Sequence, residues 1–125
     1  MAPILYILMR TDLASMNSGK GMAQACHAAN QFAHKYAGTD FLEQWEAETG
    51  MGFGTTIVLA VEDWYALAYY TSYAEDVGIP SGVTHDPSYP IRDGKVTHTV
   101  SLSTCGYIFS EDGPLDILSK LNLHP

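Results

Sequence analysis

Between Gly19 and His34 the chain carries Lys20, Gln24, His27, Gln31 and His34, spaced i, i+4, i+7, i+11 and i+14. That spacing stacks side chains on one face of a helix. An ammonium and an imidazole on such a face, joined by a carboxylate from elsewhere in the fold, suffice to activate water and steady a developing oxyanion. Lys20 stands between Gly19 and Gly21, where the chain enters the helix. A cation there opposes the helix dipole by about 0.3–1 kcal/mol, and local violations of this kind concentrate at functional sites. With the free amides of the first turn, Gly19 and Lys20 would form a trap for an anion. Met22, Ala25, Cys26, Ala29, Ala33 and Tyr36 fall on the opposite face and are expected in a core. The competing reading is bland: every amphipathic helix has a polar face, and Lys, Gln and His are ordinary there. A nucleotide-binding P-loop is excluded, because Ala14 and Gly21 stand where it needs a Gly and a Ser or Thr.

Patterning places these residues on a simple framework. Residues 4–9 read as a buried strand, 10–18 as a loop and 19–37 as a helix stopped by Gly38. A short helix over 41–48 closes on the Gly-rich run 50–54, and 55–61 is a β-branched strand. Asp63 caps a helix reaching about residue 77, which ends at Gly78 and Pro80. A short strand at 82–86 leads into a loop with Pro87, Pro90 and an Asp93-Gly94 turn, and residues 96–103 alternate as a strand. A last helix is expected over 114–121. Strands alternating with helices predict an α/β, three-layer sandwich on a four-stranded, mostly parallel sheet. The helix-free link from 86 to 96 makes at least one pair antiparallel, so the sheet is mixed.

Length and charge narrow the classes. A chain of 125 residues fits a single domain over 1–125. Its apolar runs are too short to span a membrane or form a leader peptide, and Cys26 and Cys105 build no disulfide framework. A cytoplasmic protein is expected. The net charge of −8 argues at first against nucleic acid. Yet residues 39–79 hold eight acids (Asp40, Glu43, Glu46, Glu48, Glu62, Asp63, Glu75, Asp76) and no Lys or Arg, whereas Arg10, Lys20 and Lys35 outweigh Asp12 in residues 1–38. An anionic partner can therefore approach one side.

Ligands of open α/β sheets bind beyond the carboxyl ends of the parallel strands. Arg10-Thr11-Asp12, Gly19-Lys20 and His85-Asp86 are expected to converge there, with His27 two turns along the helix. Asp86 before Pro87 is equally well read as a turn initiator. His85, His98 and Cys105 lack the spacing of a metal site, and neither a metal nor another cofactor is expected. Cys26 and His27 lie about 100° apart around the helix, a poor nucleophile–base pair.

Arg10-Thr11-Asp12-Leu13, then Gly19-Lys20, Ala23-Gln24 and His27-Ala28-Ala29, resemble the peptidyl-tRNA hydrolases of the archaeal and eukaryotic type (type II). Trp45, the strand at 56–59, the run from Ala74 to Pro80 ahead of Asp86, and Gly94-Lys95-Val96-Thr97 follow that family in order. The resemblance implies a hydrolase of the ester joining a peptide to the terminal ribose of tRNA. It places Lys20, His27, Asp86 and Thr97 at the functional site: Lys20 for phosphate or oxyanion contact, Asp86 with His27 for water positioning or proton transfer, Thr97 for a hydroxyl hydrogen bond. Arg10, Gly19, Gln24 and Lys95 are further candidates for substrate contact.

The chain also departs from the family. The loop after the aspartate is Pro87-Ser88-Tyr89-Pro90, one residue shorter before Gly94 and without the family's Arg and Thr. Lys95 replaces a Thr, and Ser18 a second basic residue. Tyr89 could compensate by stacking on a terminal base and Arg92 by pairing, although a packing aromatic is the alternative for Tyr89. A divergent member acting on peptidyl-tRNA or a related ester is the resulting expectation. One rival is a module that binds RNA or a nucleotide without turnover. A second is an interaction domain working through the acidic segment 39–79. A homodimer is compatible with all three.

Overall fold

The computed structural model describes residues 2–125. The chain runs β1 (Ile4–Arg10), α1 (Ser18–Lys35), α2 (Asp40–Ala47), β2 (Thr56–Val61), α3 (Trp64–Asp76), β3 (Ser81–Asp93), β4 (Val96–Ser110) and a 3-10 turn at Asp116–Leu118. The last element corrects the helix expected over 114–121. Strand order is β2-β1-β4-β3, with β1 and β2 parallel and the other two pairs antiparallel. The sheet is thus mixed but not mostly parallel, because residues 87–95 continue the hairpin instead of crossing over.

β1 lies between two neighbours and is covered on both faces, which is why its sequence is continuously apolar. Leu5, Ile7 and Met9 meet α1 and α2 in one core with Phe32, Leu42, Trp45, Tyr107 and Phe109. Tyr6 and Leu8 point the other way, into a second core with Leu59, Leu67, Ala74, Ile108 and Leu118. Phe32 centres the first core, stacked on Phe109 at 4.9 Å and edge-on to Trp45 at 5.6 Å. Gly106 is needed where β4 passes β3: a Cβ there would stand 2.7 Å from the Gly82 carbonyl. The outer edge of β2 is covered by the C-terminal segment through Ala60 N–H to Asn122 and His124 N–H to Val58. Among the described residues, no helix is long and apolar enough to cross a membrane.

β4 pairs with β1 only from Cys105 to Ser110. Its first half and the second half of β3 therefore extend past the sheet as a two-stranded arm, closed by Gly94 with φ +60° at the first turn position, where a type II′ turn favours Gly. The expected loop at 87–95 is in fact this arm. Register shifts fall at Thr84/His85 and between Asp86 and Tyr89, and the second takes up Pro87, which an edge strand tolerates at a bulge.

Candidate active site

The polar stripe of α1 fastens the helix to β3 through Lys20, Gln24 and Gln31, while His27 and His34 stay exposed. Lys20 Nζ donates to the Pro90 carbonyl at 2.6 Å, Gln24 Nε2 to Asp86 Oδ2 at 2.7 Å, and Gln31 Nε2 to the Val83 carbonyl at 3.1 Å. Each step up the helix meets a residue further back along β3. The buried residues of α1 are Gln24, Ala28 and Phe32. The expected core face is corrected accordingly: Ala25, Ala29, Ala33 and Tyr36 pack at its margin, while Met22 and Cys26 are exposed. The reason is geometric. β3 reaches alongside α1 and offers carbonyls and a carboxylate to the polar side, so Gln24 is buried with its hydrogen bonds made.

Gln24 and Asp86 form the centre. The amide of Gln24 is fixed at both ends, donating to Asp86 and accepting from the Thr104 hydroxyl at 2.5 Å. Asp86 Oδ1 takes the Ser88 N–H at 2.8 Å, so the turn-forming and site-forming readings of this residue both hold. Partial burial disfavours its charge. The Ser88 amide, Gln24, and the nearby His27 and His85 outweigh that, holding the carboxyl below its ordinary range. His27 is exposed beside it. The result is an ionised carboxylate with an imidazole in its field and an ammonium one helical turn back. This set can orient and deprotonate water.

Other candidates lie elsewhere. Thr97 pairs with Arg92, whereas Asp86 pairs with Leu102; five strand residues put Thr97 roughly 17 Å away along β4. The structure therefore does not bring Thr97 to Asp86, because the arm is extended and does not fold back; Lys20 meets the arm at Pro90, two residues along β3 from Arg92, the partner of Thr97. Arg92 and Lys95 are exposed near the arm's tip, with Arg92 Nε donating to the Gly94 carbonyl. Arg10 closes β1 and is held by both oxygens of Asp12 at 2.9 Å and by the Ser103 carbonyl. The hydrogen bond to Arg10 keeps Asp12 below the ordinary carboxylate range. Gly19 sits in the first turn of α1, where Asn17 caps the Lys20 amide at 2.9 Å. An added Cβ at Gly19 would meet only Asn17 Oδ1, at 3.6 Å, so packing does not require glycine there.

Tyr89 is corrected outright as a stacking platform. Its side chain is fully buried; its hydroxyl accepts from Ser15 and contacts Met16 sulfur, and Lys20 Nζ lies 5.1 Å from the ring centroid. The second register shift turns the ring under the loop between β1 and α1, where it closes the gap beside Lys20. Tyr89→Ala is expected to cost about 3 kcal/mol, measured as a lower denaturation midpoint; unchanged stability would mean that the ring is not a packing element.

Two features escaped the sequence reading. Thr104, which completes the hold on Gln24, lies one residue beyond the strand expected at 96–103. His85 bridges Ser101 and Ser103 at 2.5 and 3.0 Å, a contact set by register and invisible in local spacing. Cys105 is buried, donates to the Gln24 carbonyl and has its thiol pushed up to about 11 by desolvation, which suits packing and not nucleophilic attack. A cleft lined by Met9, Met22, Ala25 and Val58 lies on the far side of α1 from Asp86 and holds none of these residues.

A search of curated protein sequences found no match. The family model described as Peptidyl-tRNA hydrolase PTH2 matches residues 4–103, from the first residue of β1 to one short of Thr104. That span includes α1, β3 and most of the sheet, and the chain belongs to the peptidyl-tRNA hydrolase PTH2 family.

Proposed function

We propose that this chain hydrolyses the ester joining a peptide, or an N-blocked aminoacyl group, to the terminal ribose of tRNA. Water, giving a proton to Asp86, adds to the ester carbonyl carbon. The C–O bond to the ribose breaks, and the ribose oxygen leaves with a proton relayed by His27. Lys20 faces the oxyanion or a terminal phosphate, and Gln24 orients Asp86. Arg92, Lys95 and Thr97 on the arm, with Arg10 and Gly19 near the end of β1, are assigned to the tRNA. The observation that carries this reading is the ionised Asp86, held by Ser88 and Gln24 beside His27, in a chain of a peptidyl-tRNA hydrolase family. Initial rates on a peptidyl-tRNA, proportional to protein concentration and well above the buffer rate, are the expected result; a rate equal to buffer defeats it.

A second reading, tRNA binding without turnover, draws on Lys20, whose ammonium is already given to the Pro90 carbonyl. The same assay separates the two. Under either reading, binding should weaken with salt, and log K against log salt should have a slope of about −2 to −4, since few cations are available at roughly 0.7–0.9 per phosphate. Salt-independent binding removes tRNA as the partner.

A further inference from the structure

α3 shows solvent an aromatic face. Tyr65, Tyr69 and Tyr73 recur every fourth residue and are 80%, 60% and 41% exposed, with Trp64 40% exposed at the helix start. Contiguous exposed aromatics of this kind mark interaction surfaces. Tyr69 is not loose: its ring meets Tyr70 edge-on at 5.1 Å, and Tyr70 packs on the second core. A propped ring loses little entropy on binding. A groove beside it is lined by Tyr69 and Tyr73, by the small residues Ala68 and Ser72, and by Asp76 in the last turn.

Charge selects the occupant. Glu75 and Asp76 close α3 with no basic residue in the last turn, so two carboxylates add to the negative end of the helix dipole. Segment 39–79 contributes no Lys or Arg; Lys120 lies in the cleft with Glu62 and Tyr70, and Lys35 lines a cleft with Glu75, so Asp76 is the carboxylate that lines the groove. The same face of a second copy would set acids against acids, and RNA would bring phosphates to them. A cationic protein segment complements both the rings and the carboxylates. Arginine fits better than lysine, since its planar guanidinium stacks on tyrosine and pairs with a carboxylate through two hydrogen bonds. We propose that this face of α3 docks an arginine-bearing segment of a partner protein, with a guanidinium between Tyr69 and Tyr73 and paired to Asp76.

The test titrates the full chain with a short labelled peptide of alternating Arg and Gly, and with its Lys counterpart, reading anisotropy and the backbone amide shifts of α3. The Arg peptide is expected to bind about tenfold more tightly than the Lys peptide, with shifts along 65–76. Tyr69→Ala and Asp76→Asn should each weaken it about fivefold or more, with the melting temperature unchanged because both positions are exposed. Absence of binding, equal binding of the two peptides, or binding that survives both variants overturns the proposal, the last two being generic attraction to an acidic protein. Self-association in sedimentation that Tyr69→Ala abolishes also overturns it, by giving the face to a second copy. None of these readouts depends on hydrolysis.

Discussion

Asp86→Ala is expected to cut kcat on peptidyl-tRNA by about 10³-fold, the middle of the range for losing a general base. Asp86→Asn is the sharper variant. Asn can still accept the Ser88 amide, and Gln24 can turn its amide over to accept from Asn, because the Thr104 hydroxyl can exchange donor for acceptor. The fold survives the change while the base is lost. A rate near the original in Asp86→Asn would remove the carboxylate from the mechanism. The pH profile adds an independent check. Because the folded-state pKa of Asp86 is lowered, the carboxylate stays charged above the ordinary value of about 3.9. The acid limb of kcat/KM should therefore fall below about pH 4. The stability that this charge contributes is present above that pH and lost as pH falls through the lowered pKa.

Lys20→Met should lower kcat by about 10²-fold or more, the scale of removing one oxyanion contact. From helix physics alone, losing a cation at this terminus would leave the fold intact or slightly stabilise it. The structure changes that expectation, since the ammonium also holds the Pro90 carbonyl and lies over the Tyr89 ring. A loss of about 1 kcal/mol is expected, net of the relieved dipole. Methionine keeps the stem packed on the hairpin and so isolates the charge. A melting temperature within a few degrees, with turnover collapsed, is the informative pattern; unchanged turnover would leave Lys20 as a strap between α1 and the arm.

What could be read from the residues followed from how local the physics is. β1, β2 and the Asp63-capped α3 came through because apolar runs and caps act within a few residues. The helical spacing of Lys20, Gln24 and Gln31 was legible, but its destination was not: whether a polar stripe meets water or an edge strand depends on how far β3 extends. Pro87 and Pro90 looked like a loop because proline is poor in a ladder, yet an edge strand with a bulge accommodates them. Tyr89 shows the same limit, since no local pattern says which way a ring points past a register shift. Thr97 followed the family motif into a position that the extended arm carries away from Asp86.

The place of β1 in the sheet also bears on how the chain must be assembled. Leu5 pairs with Thr56 on one side and with Phe109 on the other. Such distant partners raise contact order and slow folding. During synthesis β1 waits for β4, the last strand of this sheet, and until β4 arrives its apolar run has one open edge. A nascent chain interrupted before residue 105 would present that edge to other strands. For this fold, incomplete synthesis is an aggregation hazard, and the final stretch of β4 removes it.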